Sequence, residues 1–196
     1  MRVLPPTELP DRVLVYGVTG SGKTTLAGRL SEVSGLPWHQ ADDLTWLPGW
    51  VEVPTDKQRA TFATICAGDR WILDTAYSRW LDVPLRRVQL IVALDYPRWR
   101  SLGRLVVRTA ARVIDRRRIC NGNVETLRLA FSRESIIRWH FRSFARKRER
   151  MRAWADDPAG PQVLLFSSSR STQRWLESVR SAGASTTGGE HHGQRP

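Results

Sequence analysis

The amino-acid sequence predicts an α/β fold in which a five-stranded parallel sheet is flanked by helices. Five short, β-favouring apolar runs recur along the chain, with helical or loop stretches between them. Each run is hydrophobic almost throughout, a pattern typical of parallel strands that helices cover on both faces. The predicted strands are residues 13–16, 36–38, 71–73, 90–94 and 163–166.

The stretches between these runs predict the helices of a doubly wound sheet. The predicted helices are residues 26–33, 55–67, 97–113, 124–154 and 171–182. Glycine often follows the last residue of a helix, because it adopts the left-handed conformation without strain. The predicted helix stops are therefore Gly35, Gly68 and Gly183.

The length of 196 residues is enough for one domain with a sizeable core. We expect this single domain to span residues 1–182 and to include a small arginine-rich lid over roughly 113–127. Residues 183–196 are rich in Gly, Ser, Thr and His and contain no apolar anchor. We therefore expect a disordered tail there.

Composition argues against several classes of protein. No apolar stretch approaches the ~20 residues that a membrane-spanning helix needs, and the amino terminus lacks the apolar core of a signal peptide. We therefore expect a cytoplasmic protein without a membrane partner. Cys66 and Cys120 form no CxxC pair, so we expect free thiols rather than a disulfide scaffold or a zinc site.

The formal net charge of +12 is concentrated in one part of the chain. Residues 98–152 contain 17 Arg and Lys and only four acids. Almost all of the basic residues are arginine, and the lysines are limited to Lys23, Lys57 and Lys147. Such a segment either forms a solvated helix face or binds a polyanion.

A glycine-rich segment, GVTGSGKT at positions 17–24, follows the first predicted strand and precedes the first helix. Strand, glycine turn, lysine and helix start in this order form a phosphate-binding P-loop. Backbone amides would approach the phosphates, Lys23 would reach the β- and γ-phosphates, and Thr24 would ligate Mg²⁺. The sequence therefore predicts binding of ATP with Mg²⁺. The predicted contacts of this loop are Gly17, Thr19, Gly20, Ser21, Gly22, Lys23, Thr24 and Thr25.

Two branches of P-loop proteins do not fit the rest of the chain. A regulatory GTPase would carry an NKxD-type guanine motif, and the sequence contains no Asn-Lys pair. A ring or helicase-type ATPase would show a strand ending in adjacent acids, whereas the run LIVAL is followed by Asp95-Tyr96-Pro97.

Six segments resemble the adenylate-kinase-like branch of small P-loop kinases, and most closely the topology modulation (FlaR-like) group. They extend over most of residues 12–180 and read GVTGSGKTTLA at 17–27, ADDLTWLPGW at 41–50, WILDTAYS at 71–78, LDYPRW at 94–99, GNVE at 122–125 and VLLFSSSR at 163–170. The resemblance implies that Asp42 and Asp74 lie near Mg²⁺ and the acceptor. It also implies that arginines of the helix after the fourth strand and of the lid close over the phosphates, with Arg170 as a further nucleotide contact.

The chain departs from adenylate kinase itself on the acceptor side. That enzyme has a DGFPR-type segment where this chain has DTAYSR at 74–79, and nothing here resembles its AMP-binding helix. The resemblance therefore covers the donor half of the site and leaves the acceptor open.

The acids that follow two predicted strands suit this chemistry. Asp74 ends a buried run, so its carboxylate is expected at the carboxyl edge of the sheet beside the P-loop. Asp42 could hold a magnesium-bound water or orient an acceptor hydroxyl. We expect Asp43 to cap the following helix or turn, and Asp95 to be structural because Pro97 follows it.

Arginines recur every four residues along the predicted helix 97–113 and form one stripe. Like charges at this spacing destabilise an isolated helix by about 0.2–0.5 kcal/mol per pair, so a bound polyanion would stabilise the stripe. We expect phosphate contacts from Arg104, Arg108 and Arg112 and a lid role for residues 116–118. Arginine stems that cover apolar surface, or that pair with distant acids, are the competing interpretation.

Aromatic residues surround the Asp42 pair in sequence. Trp38, Trp46 and Trp50 could stack on an acceptor or could instead fill the core or a small lid. Tyr77 and Arg79 follow Asp74 on the same rim and are further acceptor candidates.

These patterns predict an ATP-dependent phosphotransferase that moves the γ-phosphate of MgATP to a small nucleotide, nucleoside or hydroxylated metabolite. The predicted catalytic residues are Lys23, Asp42, Arg108 and Arg112, and the predicted Mg²⁺ ligands are Thr24, Asp42 and Asp74. One alternative remains, a nucleic-acid-binding P-loop ATPase that affects DNA topology. It is suggested by the basic helical residues Arg142, Arg146, Lys147, Arg148, Arg150 and Arg152.

Overall fold

The computed structural model describes residues 8–75, 77–115, 118–119, 121–124 and 136–187. The strands are β1 Arg12–Gly17, β2 Trp38–Gln40, β3 Trp46–Leu47, β4 Val51–Glu52, β5 Trp71–Thr75, β6 Leu90–Leu94, β7 Arg118–Ile119, β8 Asn123–Val124 and β9 Gln162–Phe166. The helices are α1 Lys23–Ser34, α2 Ala41–Thr45, α3 Thr55–Ala67, α4 Asp82–Leu85, α5 Arg98–Asp115, α6 Ile136–Asp156 and α7 Ser169–Thr187.

The main sheet has five strands in the order β2-β5-β1-β6-β9, and every neighbouring pair is parallel. The predicted α/β fold is confirmed. The second strand begins at Trp38 instead of Leu36, because Pro37 has no N–H to donate to a strand partner.

Alternate residues of the central strand β1 face two separate cores. Val13 and Val15 pack with buried side chains of α1 and α7, whereas Leu14 and Tyr16 pack with those of α3 and α6. Helices therefore cover both faces, as the continuous hydrophobicity of the strands predicts. The central strands are held rigidly, and their carboxyl ends can present side chains in fixed positions.

Three predicted helix boundaries differ from the structure by three residues or more. The first helix begins at Lys23 rather than at residue 26, because Gly22 takes the left-handed conformation, with φ 95°, and lets the helix start inside the P-loop. Val124, predicted to begin a helix, pairs with Arg118 in the β7–β8 hairpin. Asn121 and Gly122 both have positive φ, which turns the chain back at this point.

The third change concerns the carboxyl end. Helix α7 passes through Gly183 and continues to Thr187, so the predicted helix stop at Gly183 is wrong. Gly183 is not among the glycines with positive φ, and Trp175, Leu176 and Val179 anchor the helix in the core. A glycine without a left-handed turn weakens a helix by about 1 kcal/mol but does not end it. The rest of the predicted tail, 188–196, lies outside the described residues.

None of the helices in the described ranges is long and apolar enough to cross a bilayer. Within the same ranges, no group of three or more His, Cys, Asp or Glu side chains could hold a metal ion. The predicted free thiol of Cys66 is buried, and Cys120 lies outside the described residues.

Candidate active site

The P-loop connects β1 to α1 at the carboxyl edge of the main sheet. Gly20 and Gly22 have φ values of 82° and 95°, which glycine adopts without strain. Within the loop the Ser21 amide donates to Val18 O at 3.1 Å. The first amides of α1, which begins at Lys23, have no acceptor within their own helix. The loop therefore offers backbone donors and a positive helix end to an anion.

The loop is packed tightly against α5. A Cβ atom added to Gly20 would lie 2.3 Å from Ser101 O and 3.0 Å from the Cβ of Leu105. Only glycine fits this contact, both for space and for its positive φ. The first turns of α5 therefore fix the conformation of the loop.

Helix α6 contacts the other side of the loop. The Nδ1 atom of buried His140 lies 3.1 Å from the carbonyl oxygen of Thr19. Burial lowers the pKa of His140, so the neutral ring with a proton on Nδ1 donates to this carbonyl. The predicted contact Thr19 is thus held through its backbone, and sequence reasoning did not identify His140.

A cavity of about 460 Å³ opens beside the P-loop, between α5 and the start of α7. This volume lies in the range of small-ligand pockets. Its lining comprises Gly20, Ser21, Gly22, Thr25, Leu26, Arg29, Leu94, Tyr96, Arg104, Arg108, Ser169, Thr172, Gln173 and Leu176. The hydroxyl groups of Tyr96 and Thr172 form a hydrogen bond in its wall, with 2.7 Å between the two oxygens.

The structure separates the predicted arginines into two groups. Arg104 and Arg108 line the cavity, and Nη1 of Arg104 donates to Ser21 O at 3.4 Å. Arg112 lies one turn further along α5 and is half-buried, while Arg170 is exposed in the first turn of α7. Neither is among the residues that line the cavity, so their predicted contacts stay predictions.

Asp74 is the penultimate residue of β5, the strand next to β1, and is almost completely buried, with 4% of its surface exposed. Its Oδ1 accepts a hydrogen bond of 3.1 Å from the Ala41 amide. Burial raises the pKa of Asp74, and the neighbouring Thr24 hydroxyl and the charge of Lys23 oppose this change. The predicted metal ligands Thr24 and Asp74 are therefore brought together beside Lys23.

Asp42 lies exposed in the first turn of α2, directly after β2. Its Oδ1 accepts a 2.8 Å hydrogen bond from the Tyr77 hydroxyl, which in turn accepts one of 2.9 Å from Trp46 Nε1. Asp43 is also in this turn. The prediction that Asp43 caps the helix is wrong, because Gln40 occupies the N-cap position. The Tyr77 hydroxyl therefore holds the carboxylate of Asp42, whereas Asp43 is exposed in the same turn.

Lys23 interacts electrostatically with both Asp42 and Asp74. Its half-buried ammonium donates to Val18 O at 3.3 Å. Burial lowers the pKa of Lys23, the negative charges of Asp42 and Asp74 raise it, and the positive charge of Arg108 lowers it further. One cation and two carboxylates therefore share a small region at the carboxyl ends of β1, β2 and β5.

These residues fit a magnesium-bound nucleoside triphosphate. The amides of α1, Lys23 and Arg104 offer donors to phosphate oxygens. Thr24, Asp42 and Asp74 supply the hydroxyl and carboxylate oxygens that Mg²⁺ prefers, and the small number of protein ligands suits an ion that keeps several waters. The adjoining cavity has room for the rest of the nucleotide.

Two short hairpins meet beside Asp42. Asn121, at the tip of β7–β8, donates from Nδ2 to Asp43 O and to Trp46 O, both at 2.7 Å. Asn123 accepts from the Trp50 amide at 2.8 Å and donates to Leu47 O at 3.0 Å. The described part of the predicted lid thus rests on the tryptophan hairpin β3–β4, next to Asp42.

The three tryptophans near Asp42 have different surroundings. Trp46 and Trp50 contact each other edge to face in this hairpin, with ring centroids 5.9 Å apart. Trp38 instead packs against Gly28 of α1, where an added Cβ would lie 3.2 Å from its ring. Trp38 therefore packs, partly buried, against the core, and Trp46 is hydrogen-bonded to Tyr77, which contacts Asp42.

Contacts within the chain involve much of the basic surface of α6. Arg148 and Arg152 form ion pairs with buried Asp95 at 2.8 Å and 3.1 Å. Arg150 donates from Nη1 to the Tyr16 hydroxyl at 3.2 Å. Lys147 is buried. Four of the six basic residues that suggested nucleic-acid binding are therefore either buried or paired with a group of the protein itself.

No protein-family model and no curated protein sequence matches the chain. Its fold matches solved structures, one of which is a gluconokinase from Sinorhizobium meliloti 1021, with a TM-score of 0.51, 13% identity and coverage of 94% of this chain and 99% of that one. Another is shikimate kinase from Acinetobacter baumannii in complex with shikimate, with a TM-score of 0.52, 13% identity and coverage of 93% and 95%. At such identities the likeness concerns the fold alone. The chain has the fold of small P-loop kinases.

Proposed function

We propose that the protein is an ATP-dependent kinase of the adenylate-kinase-like type that phosphorylates a small molecule. The observation that carries this proposal is the convergence of Lys23, Asp42 and Asp74 at one edge of the sheet, beside a cavity lined by the P-loop. A cation, two carboxylates and a P-loop are the groups that phosphoryl transfer requires.

The residues on the donor side would bind and orient MgATP, which supplies the transferable phosphoryl group. The amides of α1 and the ammonium of Lys23 would neutralise phosphate charge. Arg104 and Arg108 would contact the nucleotide from the cavity wall. Thr24, Asp74 and one oxygen of Asp42 would hold the magnesium ion. Because phosphoryl transfer depends chiefly on position and charge, these fixed groups account for much of the expected catalysis.

The residues on the acceptor side would act on a hydroxyl group. Asp42 would orient this hydroxyl or accept its proton, because the bonds from Trp46 through Tyr77 hold its carboxylate. The hairpins tied together by Asn121 would exclude water from the reacting groups. Two proteins with a similar fold are named gluconokinase and shikimate kinase, which supports a small acceptor.

A phosphotransfer screen tests this proposal. Release of ADP from MgATP would be followed with nucleoside monophosphates, nucleosides, sugars, hydroxy acids and duplex DNA, in the wild type and in Lys23→Ala. The proposal predicts that a small hydroxylated acceptor accelerates release and that Lys23→Ala abolishes the effect. Acceleration by DNA, with no response to any small acceptor, would favour the nucleic-acid-binding alternative instead.

A further inference from the structure

Lys147 is a buried lysine that forms no ion pair with any residue in the described part of the chain. Its side chain is 3% exposed, and within the described ranges it has neither a hydrogen bond nor an ion pair. Its Nζ lies over the ring of Trp139, 5.6 Å from the ring centroid. A cation–π contact offsets only part of the desolvation of an ammonium group.

The position of Lys147 on α6 directs it toward the P-loop. One end of this helix contacts Thr19 through His140, and the other end contacts Tyr16 through Arg150. Lys147 lies between these two contacts and, seven residues after His140, on the same helical face. It therefore faces the segment that runs from the end of β1 into the phosphate-binding loop.

The electrostatics agree with this placement. Burial lowers the pKa of Lys147 to about 7, and the positive charges of Lys23, Arg146 and Arg150 contribute to this, while Asp42 opposes it. The charges of Lys23 and Asp42 act on the pKa of the ammonium, which agrees with the position inferred from the helical face. Three cations and one carboxylate around it leave an excess of positive charge that an anion would neutralise.

We propose that Lys147 binds an anionic oxygen group in the reaction centre, either the γ-phosphate of ATP or an acid group of the acceptor. The inference rests on the proposed function. The choice of residue supports it, because only three of the 31 basic residues are lysine. Lysine presents a compact charge with three donors, which suits one phosphate or carboxylate oxygen better than a planar guanidinium does.

The test compares Lys147→Met with Lys57→Met, in which an exposed lysine of α3 is replaced in the same way. Calorimetry at neutral pH would measure the affinities of MgATP and MgADP. Inorganic phosphate would then be titrated into protein saturated with a non-hydrolysable MgATP analogue. Loss of at least about tenfold in affinity for MgATP, with MgADP unchanged, would assign Lys147 to the γ-phosphate. A similar loss confined to inorganic phosphate would assign it to an acid group of the acceptor.

The inference is overturned if Lys147→Met and Lys57→Met bind all three ligands equally well. Methionine fills a similar volume without a charge, so we expect Lys147→Met to fold and to unfold at a higher temperature than the wild type. If this variant does not fold, Lys147→Gln provides the same comparison. Because binding is measured without turnover, a failure of the proposed kinase activity would appear separately, as MgATP binding without any phosphorylated product.

Discussion

The Tyr77 hydroxyl donates a 2.8 Å hydrogen bond to Oδ1 of Asp42, and the direction of this bond is fixed. The indole N–H of Trp46 can only donate, and it reaches the same hydroxyl at 2.9 Å. The phenolic proton therefore points to the carboxylate. A side chain 35 residues away in sequence thus orients the acid that we assign to the acceptor.

Replacing Tyr77 by phenylalanine should slow phosphoryl transfer. The variant removes the donor to Asp42 and leaves Trp46 Nε1 without its acceptor. Because a hydrogen bond to a charged group contributes about 1.5–3 kcal/mol, and Asp42 is exposed, we expect kcat to fall about tenfold. The KM for MgATP should stay within about twofold. Steady-state kinetics would measure both values.

Tyr96→Phe is the matched control, because its hydroxyl joins Thr172 in the cavity on the donor side. This variant should raise the KM for MgATP and leave kcat nearly unchanged. If the two phenylalanine variants had the same kinetic effect, the division into donor and acceptor sides would be wrong.

Gly20→Ala should disrupt the P-loop. An added Cβ would lie 2.3 Å from Ser101 O in a backbone with φ 82°. Gly35→Ala is the control, because its φ of 66° imposes similar strain while nothing lies within 4 Å of its added Cβ. We expect the control to lose about 1–2 kcal/mol of unfolding free energy. Gly20→Ala should lose more and should also lose MgADP binding, as urea unfolding and calorimetry would show. Equal effects would contradict the tight packing of the loop on α5.

Arg104→Ala should weaken nucleotide binding. Arg104 lines the cavity and contacts Ser21 O, whereas Arg100, one turn earlier, lies over the Trp99 ring and is not among the lining residues. The loss of a guanidinium that pairs with phosphate should raise the Kd of MgATP about tenfold to a hundredfold. Arg100→Ala should change it by less than about twofold. A larger effect of Arg100→Ala would place the nucleotide elsewhere along α5.

The stability of the wild type should rise with pH above neutrality because of Lys147. In the folded protein the pKa of Lys147 is lowered to about 7, whereas in the unfolded chain it returns toward 10.5. Between these values the unfolded state binds more protons, so the free energy of unfolding increases with pH by up to about 1.4 kcal/mol per unit.

Urea unfolding between pH 7 and pH 9 would measure this effect in the wild type and in Lys147→Met. The methionine variant should be the more stable protein at pH 7, and the difference should shrink as pH rises. Parallel stability profiles for the two proteins would show that Lys147 carries no unpaired buried charge.

Local sequence patterns predicted the fold because each central strand is buried on both faces, as the apolar run LIVAL at 90–94 is in β6. The P-loop was also predictable, since its glycines, Lys23 and Thr24 are adjacent in sequence and their geometry is local. The stop at Gly183 failed because packing of Trp175 and Val179 in the core continues a helix that local propensity would end.

The residues that we assign to the acceptor side could not be predicted in the same way. Their arrangement is set by contacts between segments that are distant in sequence, and a local sequence pattern does not reveal such contacts. Tyr77 meets Asp42, and Asn121 meets Trp46, only after the sheet and the hairpins have formed. Lys147 did have one sequence signal, as a lysine in a helix whose other basic residues are histidine and arginine. The sequence does not show that Lys147 is buried, because its burial depends on how α6 packs on β1.

The fate of the γ-phosphate tests the central claim most directly. ATP labelled in the γ position would be incubated with Mg²⁺, the protein and each member of the acceptor panel, and the labelled products would be separated. The account predicts that the label appears in a small hydroxylated acceptor with the wild type and is absent from it with Lys23→Ala. Label that appears only as inorganic phosphate, at a rate that no small acceptor changes, would contradict it.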